Sequence, residues 1–280
     1  MKKKKIAILG STGSIGKNSL KVININKNKF NILLLSGHSN YREIINQIKI
    51  NKPRYFVITN LFVYLKVKKI LQNKKTKIIN KYTDIPPKIK FDITIAAITG
   101  IAGLEPTIQF AKQSQKMLLA NKESIICGWH LISSILKKNK NEAVPIDSEH
   151  FSIKQLTHNY KDSDIKKIYI TASGGPFLRR PLNSFKNIKS KDACRHPNWS
   201  MGKKISIDSS NLMNKILELI EAYKLFPFDP TKYEIIIHPQ SLIHAIVIFK
   251  NGQSKFLYHE TDMKIPISNA IYNNEVDIDK

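Results

Sequence analysis

Ile6-Ala7-Ile8-Leu9-Gly10-Ser11-Thr12-Gly13-Ser14-Ile15-Gly16 is the stretch on which the fold turns. A short apolar run ends at a glycine, and glycines recur at 13 and 16, where a helical pattern begins. Glycine lets a strand turn sharply into a helix and lets the backbone approach a pyrophosphate. The N–H groups at the helix N-terminus then supply donors and the positive end of a dipole. A glycine-rich turn that binds nothing has the same spelling. The strand before the loop and the pattern after it favour a dinucleotide-binding loop with Gly10 and Gly13 at its turn.

Beyond the loop, residues 31–35, 55–58, 77–79, 92–97, 117–120 and 143–146 read as strands, separated by helix-like segments such as 41–50 and 61–71. Strands alternating with helix-length segments imply parallel βαβ units. The expected first domain, residues 1–149, is a doubly wound, Rossmann-type α/β sheet with ligands at the carboxyl ends of its strands. From 150 to 280 the pattern changes. Residues 168–171, 234–237, 242–249 and 254–259 are strand-like, the last two divided by the hairpin signal Asn251-Gly252. One amphipathic helix, about 210–225, is interposed, so this second region reads as an α+β domain. Residues 174–203, with three prolines and little periodicity, are too long for a simple connection and read as a flexible loop, either functional or disordered.

The 280 residues are 42% hydrophobic, enough to bury a substantial core. The basic start and the apolar residues after it superficially resemble a signal peptide, but the apolar run stops at Gly10 and no span reaches membrane length. Cys127 and Cys194 lie far apart with no CxxC pair, so neither a disulfide framework nor a zinc site is indicated, and a cytoplasmic location is expected. A net charge of +25 invites a nucleic-acid reading. Yet the lysines are scattered among Asn and Ile, only five arginines occur, and no aromatic-interleaved RNA motif is present. No nucleic acid and no membrane is expected as a partner; a basic surface favours a phosphorylated small-molecule substrate.

Several clusters carry chemistry. Asp147-Ser148-Glu149-His150 ends the apolar segment 143–146. On extended chain, carboxylates two positions apart point to the same side and can offer hard oxygens to one Mg²⁺ or Mn²⁺, although an Asp-x-Glu is more often a solvated loop. At the end of the second strand the chain runs Ser36-Gly37-His38-Ser39-Asn40-Tyr41-Arg42, with no carboxylate before Glu43. An acidic residue there would take the ribose 2′-hydroxyl of NAD; small donors, a histidine and an arginine suit the 2′-phosphate of NADP better, while Arg42 can equally be solvated. Ser173-Gly174-Gly175-Pro176 can expose N–H groups beside a hydroxyl, as phosphate sites do, or form an ordinary turn. On the helix at 210–225, Asp208 or Ser209 is a candidate N-cap. Asn214, Lys215 and Glu218 share one flank, and Leu212, Met213, Ile216, Leu217, Leu219 and Ile220 are expected to be buried. An exposed Lys-Glu pair would show the same spacing.

Taken in order, GSTGSIG (10–16), LANKES (119–124), DSEH (147–150), SGGPF (173–177), ACRHPNWSMG (193–202), the 213–218 stretch with Met213-Asn214-Lys215 and Glu218, and IHPQS (237–241) resemble the 1-deoxy-D-xylulose 5-phosphate reductoisomerase family. The resemblance covers essentially the whole chain and implies that the α+β region, 150–280, is the catalytic domain. It also implies a divalent metal, Mn²⁺ or Mg²⁺, held by Asp147, Glu149 and Glu218, with Lys122 as a further catalytic residue close to the substrate. Ser173, His196, Ser209, Asn214 and Lys215 match positions that hold the substrate, mainly its phosphate, Ser148 matches another substrate contact, and Lys122, Glu149 and Glu218 belong to the same surroundings. Trp199 matches the aromatic of a mobile flap. Gly10, Thr12, Gly13, Ser14, Ile15, Gly37, His38, Ser39, Asn121, Glu123 and Gly202 are the implied NADPH contacts.

The implied reaction is a metal-assisted rearrangement of 1-deoxy-D-xylulose 5-phosphate followed by hydride transfer from NADPH. It gives 2-C-methyl-D-erythritol 4-phosphate for non-mevalonate isoprenoid precursor synthesis, in a homodimer. Family members continue past the position of Lys280 into a C-terminal helical domain, which is expected to be absent here. Smaller departures are Ala172, His38-Ser39 where a Lys-Asn pair is common, and Arg179-Arg180. The alternatives are a truncated remnant that binds NADPH without turnover and a basic nucleic-acid binder.

Overall fold

The computed structural model describes residues 3–71, 75–199 and 202–276; Ser200 and Met201, within the expected loop, lie outside the described residues. The described residues form two compact units, one within Met1–Ile146 and Ile267–Lys280, the other within Asp147–Pro266.

The first unit runs β1 (Lys4–Leu9), α1 (Ser14–Ile25), β2 (Phe30–Gly37), α2 (Tyr41–Asn51), β3 (Tyr55–Ile58), α3 (Leu61–Ile70), β4 (Lys77–Ile79), β5 (Phe91–Ala96), α4 (Leu104–Ala111), β6 (Ser114–Leu119), α5 (Lys122–Lys138) and β7 (Glu142–Pro145). Its seven strands are parallel in the order β4-β3-β2-β1-β5-β6-β7. Every apolar run expected as a strand in this half is one. Ile6, Ala7, Ile8 and Leu9 are fully buried, as a parallel sheet covered by helices on both faces requires. Succession reverses beside β1: the chain moves outward through β2, β3 and β4, then returns to the other side with β5. The carboxyl ends of β1 and β5 therefore flank the switch point of a doubly wound sheet, where ligands bind. Two glycines make the turn there possible. Gly10 has φ +81°, and a Cβ on Gly16 would lie 2.4 Å from the Gly10 carbonyl oxygen, so α1 starts directly on the strand end.

The second unit contains α6 (Ser148–Leu156), β8 (Ile165–Ala172), α7 (Ser190–Ala193), α8 (Lys203–Ser210), α9 (Met213–Leu225), β9 (Tyr233–Ile237), β10 (Ile243–Phe249) and β11 (Ser254–Tyr258). The sheet order is β11-β10-β8-β9, with β8 and β9 parallel and the other pairs antiparallel, an α+β arrangement. Its core gathers Ile153 of α6, Ile165, Ile168 and Ile170 of β8, Ala222 of α9, and Ala245, Val247 and Phe249 of β10. Two helices thus pack on one sheet, and both carry site residues. Among the described residues no helix is long and apolar enough to cross a membrane.

The helix expected over 210–225 is different in detail. Leu212 takes a left-handed conformation (φ 65°) and Asn211 Oδ1 accepts from the Met213 N–H (3.1 Å), so the chain breaks between α8 and α9. Ser209 donates to the Ile205 carbonyl (2.8 Å) within α8, and Asp208 pairs with Lys204 (2.7 Å), so neither caps α9. The buried stripe is also not the apolar one. Lys215, Glu218, Glu221 and Ala222 face inward, whereas Leu212, Met213 and Ile216 are 40 to 48% exposed. The low-periodicity stretch before α8 holds a short 3-10 segment, Leu182–Asn187, and α7.

Candidate active site

In the first unit the glycine loop is fastened to its neighbours by buried polar groups. The Gly10 N–H donates to Ser36 Oγ (2.8 Å) and the Ser11 N–H to the Ser36 carbonyl (2.8 Å). Ser11 Oγ donates to Gln47 Oε1 (2.6 Å), and Gln47 Nε2 donates back to the Ser11 carbonyl (2.9 Å). The loop is therefore tied to both β2 and α2. Gly13 sits at the N-cap of α1 and has no side chain to cap the N–H groups of the first turn, which begins at Ser14 and Ile15. Thr12 lies against the end of β2, since a Cβ on Gly37 would be 3.0 Å from Thr12 Cγ2. His38 Nδ1 contacts Thr59 Oγ1 (2.8 Å), and the Ser39 carbonyl accepts from the Tyr41 N–H (2.9 Å).

Asn121, Lys122 and Glu123 follow β6 on the same carboxyl edge. Asn121 caps α5, accepting from the Ser124 N–H (2.5 Å) and donating to the Gly100 carbonyl (2.9 Å), so its side chain shapes this edge. Lys122 is buried at the helix start. Gly202 lies in the second unit, at the N-cap of α8.

In the second unit Asp147 precedes the first turn of α6, which presents Ser148 and Glu149; α9 presents Asn214, Lys215 and Glu218. Carboxylate oxygens of Asp147, Glu149 and Glu218 lie within 4.8 Å of one another. Lys215 Nζ is 2.6 Å from Glu149 Oε1 and also pairs with Glu218 Oε2. Ser148 Oγ donates to Glu149 Oε2 (2.5 Å), and Asn214 Nδ2 donates to Glu218 Oε1. Burial, then the neighbouring Glu218 charge, push the Glu149 carboxyl up to about 7. Burial alone would lower Lys215, but Glu149 and Glu218 outweigh it and hold the ammonium above its ordinary range. Crowded carboxylates with one interposed ammonium form an oxygen-rich site suited to a hard divalent cation.

Ser173, His196 and Ser209 form a second group. His196 Nδ1 accepts from the N–H groups of Asn198 (3.2 Å) and Trp199 (3.0 Å), so the ring proton sits on Nε2 and is donated to Ser173 Oγ (2.9 Å). The same oxygen accepts from the Gly175 N–H (3.2 Å), which leaves the hydroxyl hydrogen of Ser173 to serve an anion. Burial and the Lys215 charge lower the His196 pKa, which keeps the ring neutral. A Cβ on Gly175 would lie 2.4 Å from the Ser209 carbonyl, so α8 packs directly on this turn. Trp199 meets His244 edge to face at 5.9 Å, and Asn198 Nδ2 donates to the Pro239 carbonyl and to Ser241 Oγ (3.0 Å), which anchors the segment.

His150 lies in the Asp147–His150 run but was given no role by the sequence, and Glu221 was not singled out at all. Both are buried, with His150 Nδ1 3.6 Å from Glu221 Oε2. His150 Nε2 donates to the Glu218 carbonyl (2.9 Å), joining α6 to α9 beside the carboxylates. Burial would depress the His150 pKa, yet Glu221, Asp147 and Glu218 hold it above its usual value. The available signal was the spacing of Glu218 and Glu221, three apart on one helix.

The chain is similar to known proteins in sequence and in fold. A family model described as 1-deoxy-D-xylulose 5-phosphate reductoisomerase matches residues 6–128, and one described as the C-terminal domain of that enzyme matches residues 143–226. The protein called 1-deoxy-D-xylulose 5-phosphate reductoisomerase in Pelagibacter ubique (strain HTCC1062) is 50% identical over 275 residues, covering 97% of this chain and 71% of its own length. Its counterpart in Wolbachia pipientis wMel is 42% identical, with 97% and 70% covered. A crystal structure of DOX-P reductoisomerase in complex with NADPH, fosmidomycin and magnesium is similar with a TM-score of 0.91 at 34% identity, covering 98% of this chain and 71% of that one.

Proposed function

Because the chain belongs to the 1-deoxy-D-xylulose 5-phosphate reductoisomerase family, we infer that it converts 1-deoxy-D-xylulose 5-phosphate to 2-C-methyl-D-erythritol 4-phosphate, using NADPH and a divalent metal. The observation that carries this reading is the convergence of Asp147, Glu149 and Glu218. Three carboxylates against one ammonium leave two negative charges at one point, which a divalent ion balances, and oxygen donors suit Mg²⁺ and Mn²⁺ alike. Burial first, and then the neighbouring Glu218 charge, raise the Glu149 pKa at this point.

When bound, the metal polarises the substrate's ketone and hydroxyl oxygens and NADPH supplies the hydride. The chain's own residues do the rest. Asp147 just before α6, Glu149 in its first turn and Glu218 from α9 would hold the metal. The Lys215 ammonium and the Asn214 amide, fixed on those carboxylates, steady negative charge on the substrate. Ser173 with the Gly174-Gly175 turn, His196 behind it, Ser209 and Ser148 hold the substrate, chiefly its phosphate. That remote grip positions the reacting carbons. Trp199 covers the substrate and excludes water. Gly10, Gly13 and the N–H groups of Thr12, Ser14 and Ile15 cradle the pyrophosphate, Gly37, His38 and Ser39 take the adenosine half, and Asn121, Glu123 and Gly202 complete the cofactor contacts. Lys122 approaches the substrate.

The chain acts as a homodimer in this reading. β11 ends its sheet with Phe256 and Tyr258 more than half exposed, an edge that a second copy would cover. Two free cysteines, far apart in sequence, accord with a reducing cytoplasm. The test is NADPH oxidation by the purified chain with 1-deoxy-D-xylulose 5-phosphate and Mn²⁺, beside Glu149→Gln. Turnover that disappears in the variant is the expected result; NADPH binding without turnover would make the chain a non-catalytic binder instead.

A further inference from the structure

The residues that let the cofactor loop distinguish NADPH from NADH are identifiable, an inference that rests on the NADPH reading above. An NAD site holds the ribose 2′-hydroxyl with a carboxylate at the end of the second strand. Here the first carboxylate after β2 is Glu43, and it is engaged elsewhere: Oε1 accepts from Gln47 Nε2 (2.9 Å) and Oε2 faces Lys17 (3.9 Å). Gln47 is in turn fixed by Ser11 of the glycine loop.

Two cations from different helices meet instead on one phenol. Lys66 Nζ of α3 lies 3.7 Å from the centre of the Tyr41 ring. Arg42 Nε of α2 donates to Tyr41 Oη (3.3 Å), its guanidinium 5.9 Å from the same ring centre. Like charges gathered on an exposed surface repel each other, and an anion received between them relieves the repulsion. The position is the relevant one. Gly37, which ends β2, touches Thr12 of the glycine loop; its carbonyl accepts from the Thr59 N–H (3.2 Å), and His38 contacts the Thr59 hydroxyl (2.8 Å). The turn leading to Tyr41 is thereby fixed between the pyrophosphate loop and the start of α3, where the adenosine ribose of a dinucleotide extends. The Tyr41 phenol lies below its usual pKa, first through the hydrogen bond from Arg42 and then through the Lys66 charge, which reports a locally positive field.

We propose that Tyr41, Arg42 and Lys66 form a clamp for the cofactor's 2′-phosphate, the phenol ring spacing two cations that receive the phosphate monoester between them. Arg42 supplies a forked donor and Lys66 a point charge, a pairing that suits a dianion and gives nothing to a bare 2′-hydroxyl.

The experiment is titration of the chain with NADPH and with NADH, followed by nucleotide fluorescence, for the wild type, Arg42→Ala, Lys66→Ala and the double variant. Each single substitution is expected to weaken NADPH by about tenfold, the size of one charge-assisted hydrogen bond, and the double variant by more. NADH affinity is expected to hold within about twofold, which also shows that the loop remains folded, and added salt should erode the wild-type preference. Equal weakening of both cofactors, or no weakening of NADPH, overturns the clamp. A wild type that prefers NADPH beside variants that keep the preference sinks the clamp alone; a wild type without preference sinks the NADPH reading as well.

Discussion

The ammonium of Lys215 lies 2.6 Å from Glu149 Oε1 and at the same time pairs with Glu218 Oε2, all three side chains being largely buried. A lysine thus serves as the internal counter-ion of two of the three carboxylates read as metal ligands. Removing one member of a buried charged group leaves the others uncompensated, a cost of about 3 to 5 kcal/mol. Lys215→Met, which keeps the apolar stem, is expected to lose stability of that order in the presence of a chelator. Mg²⁺ should then recover more stability in the variant than in the wild type, because the ion supplies the missing charge and binds only the folded chain. Thermal unfolding with and without Mg²⁺ measures both effects. An equal deficit under both conditions would mean that the ion does not replace the lysine's charge among these carboxylates.

His244 gives a pH dependence of definite sign. Its ring stacks on His259 at 3.8 Å, and its Nε2 donates to the His259 carbonyl (3.1 Å). Burial first, and then His259, bring its pKa down to about 4. An unfolded histidine takes a proton near its ordinary value of about 6.5, whereas this one resists until far lower, so the unfolded chain binds more protons between those values. The contribution is complete above the unfolded pKa and is lost as pH falls toward 4. Urea denaturation at about pH 7 and pH 5 should show His244→Asn losing on the order of 2 kcal/mol less than the wild type over that interval. Parallel declines would mean that the ring protonates in the folded state without penalty.

These two residues also mark the limit of what the sequence discloses. The strands were legible because runs such as Ile6–Leu9 and Ile168–Ile170 are apolar and branched, and the glycines at 10 and 16 announced the turn that only they permit. Asp147, Glu149 and Glu218 were legible as a set through the family resemblance, while their spacing alone fitted a solvated loop and a surface pair. The inward stripe of α9 was not legible. Periodicity assigns leucine and isoleucine to the interior, but here Lys215, Glu218 and Glu221 turn inward and Ile216 faces out. Nor does any local signal show that Leu212, without a glycine's freedom, takes a left-handed turn, or that Lys66 reaches the ring of Tyr41 on another helix. Contacts of that kind depend on packing between elements, which spacing along the chain does not encode.

The glycine pair after Ser173 separates conformation from clearance. Gly174 and Gly175 both have positive φ, +83° and +72°, so alanine is strained at either by about 1 to 2 kcal/mol. Their surroundings differ. The nearest atoms to a Cβ on Gly174 would be those of the Leu178 side chain, the first at 2.7 Å, whose flexible end can swing aside. At Gly175 it would lie 2.4 Å from the Ser209 carbonyl oxygen, backbone that moves only if α8 moves with it. The Gly175 N–H also donates to Ser173 Oγ, so a shift there disturbs the serine hydroxyl read as a phosphate donor. Gly174→Ala should therefore lose about 1 kcal/mol and keep most of its affinity for 1-deoxy-D-xylulose 5-phosphate. Gly175→Ala should lose more than about 2 kcal/mol and bind the substrate at least about tenfold more weakly. Unfolding curves and substrate titrations on the two variants decide it. If the two alanines behave alike, the second glycine is needed only for its backbone angle, and the close approach of Ser209 has no part in holding the phosphate.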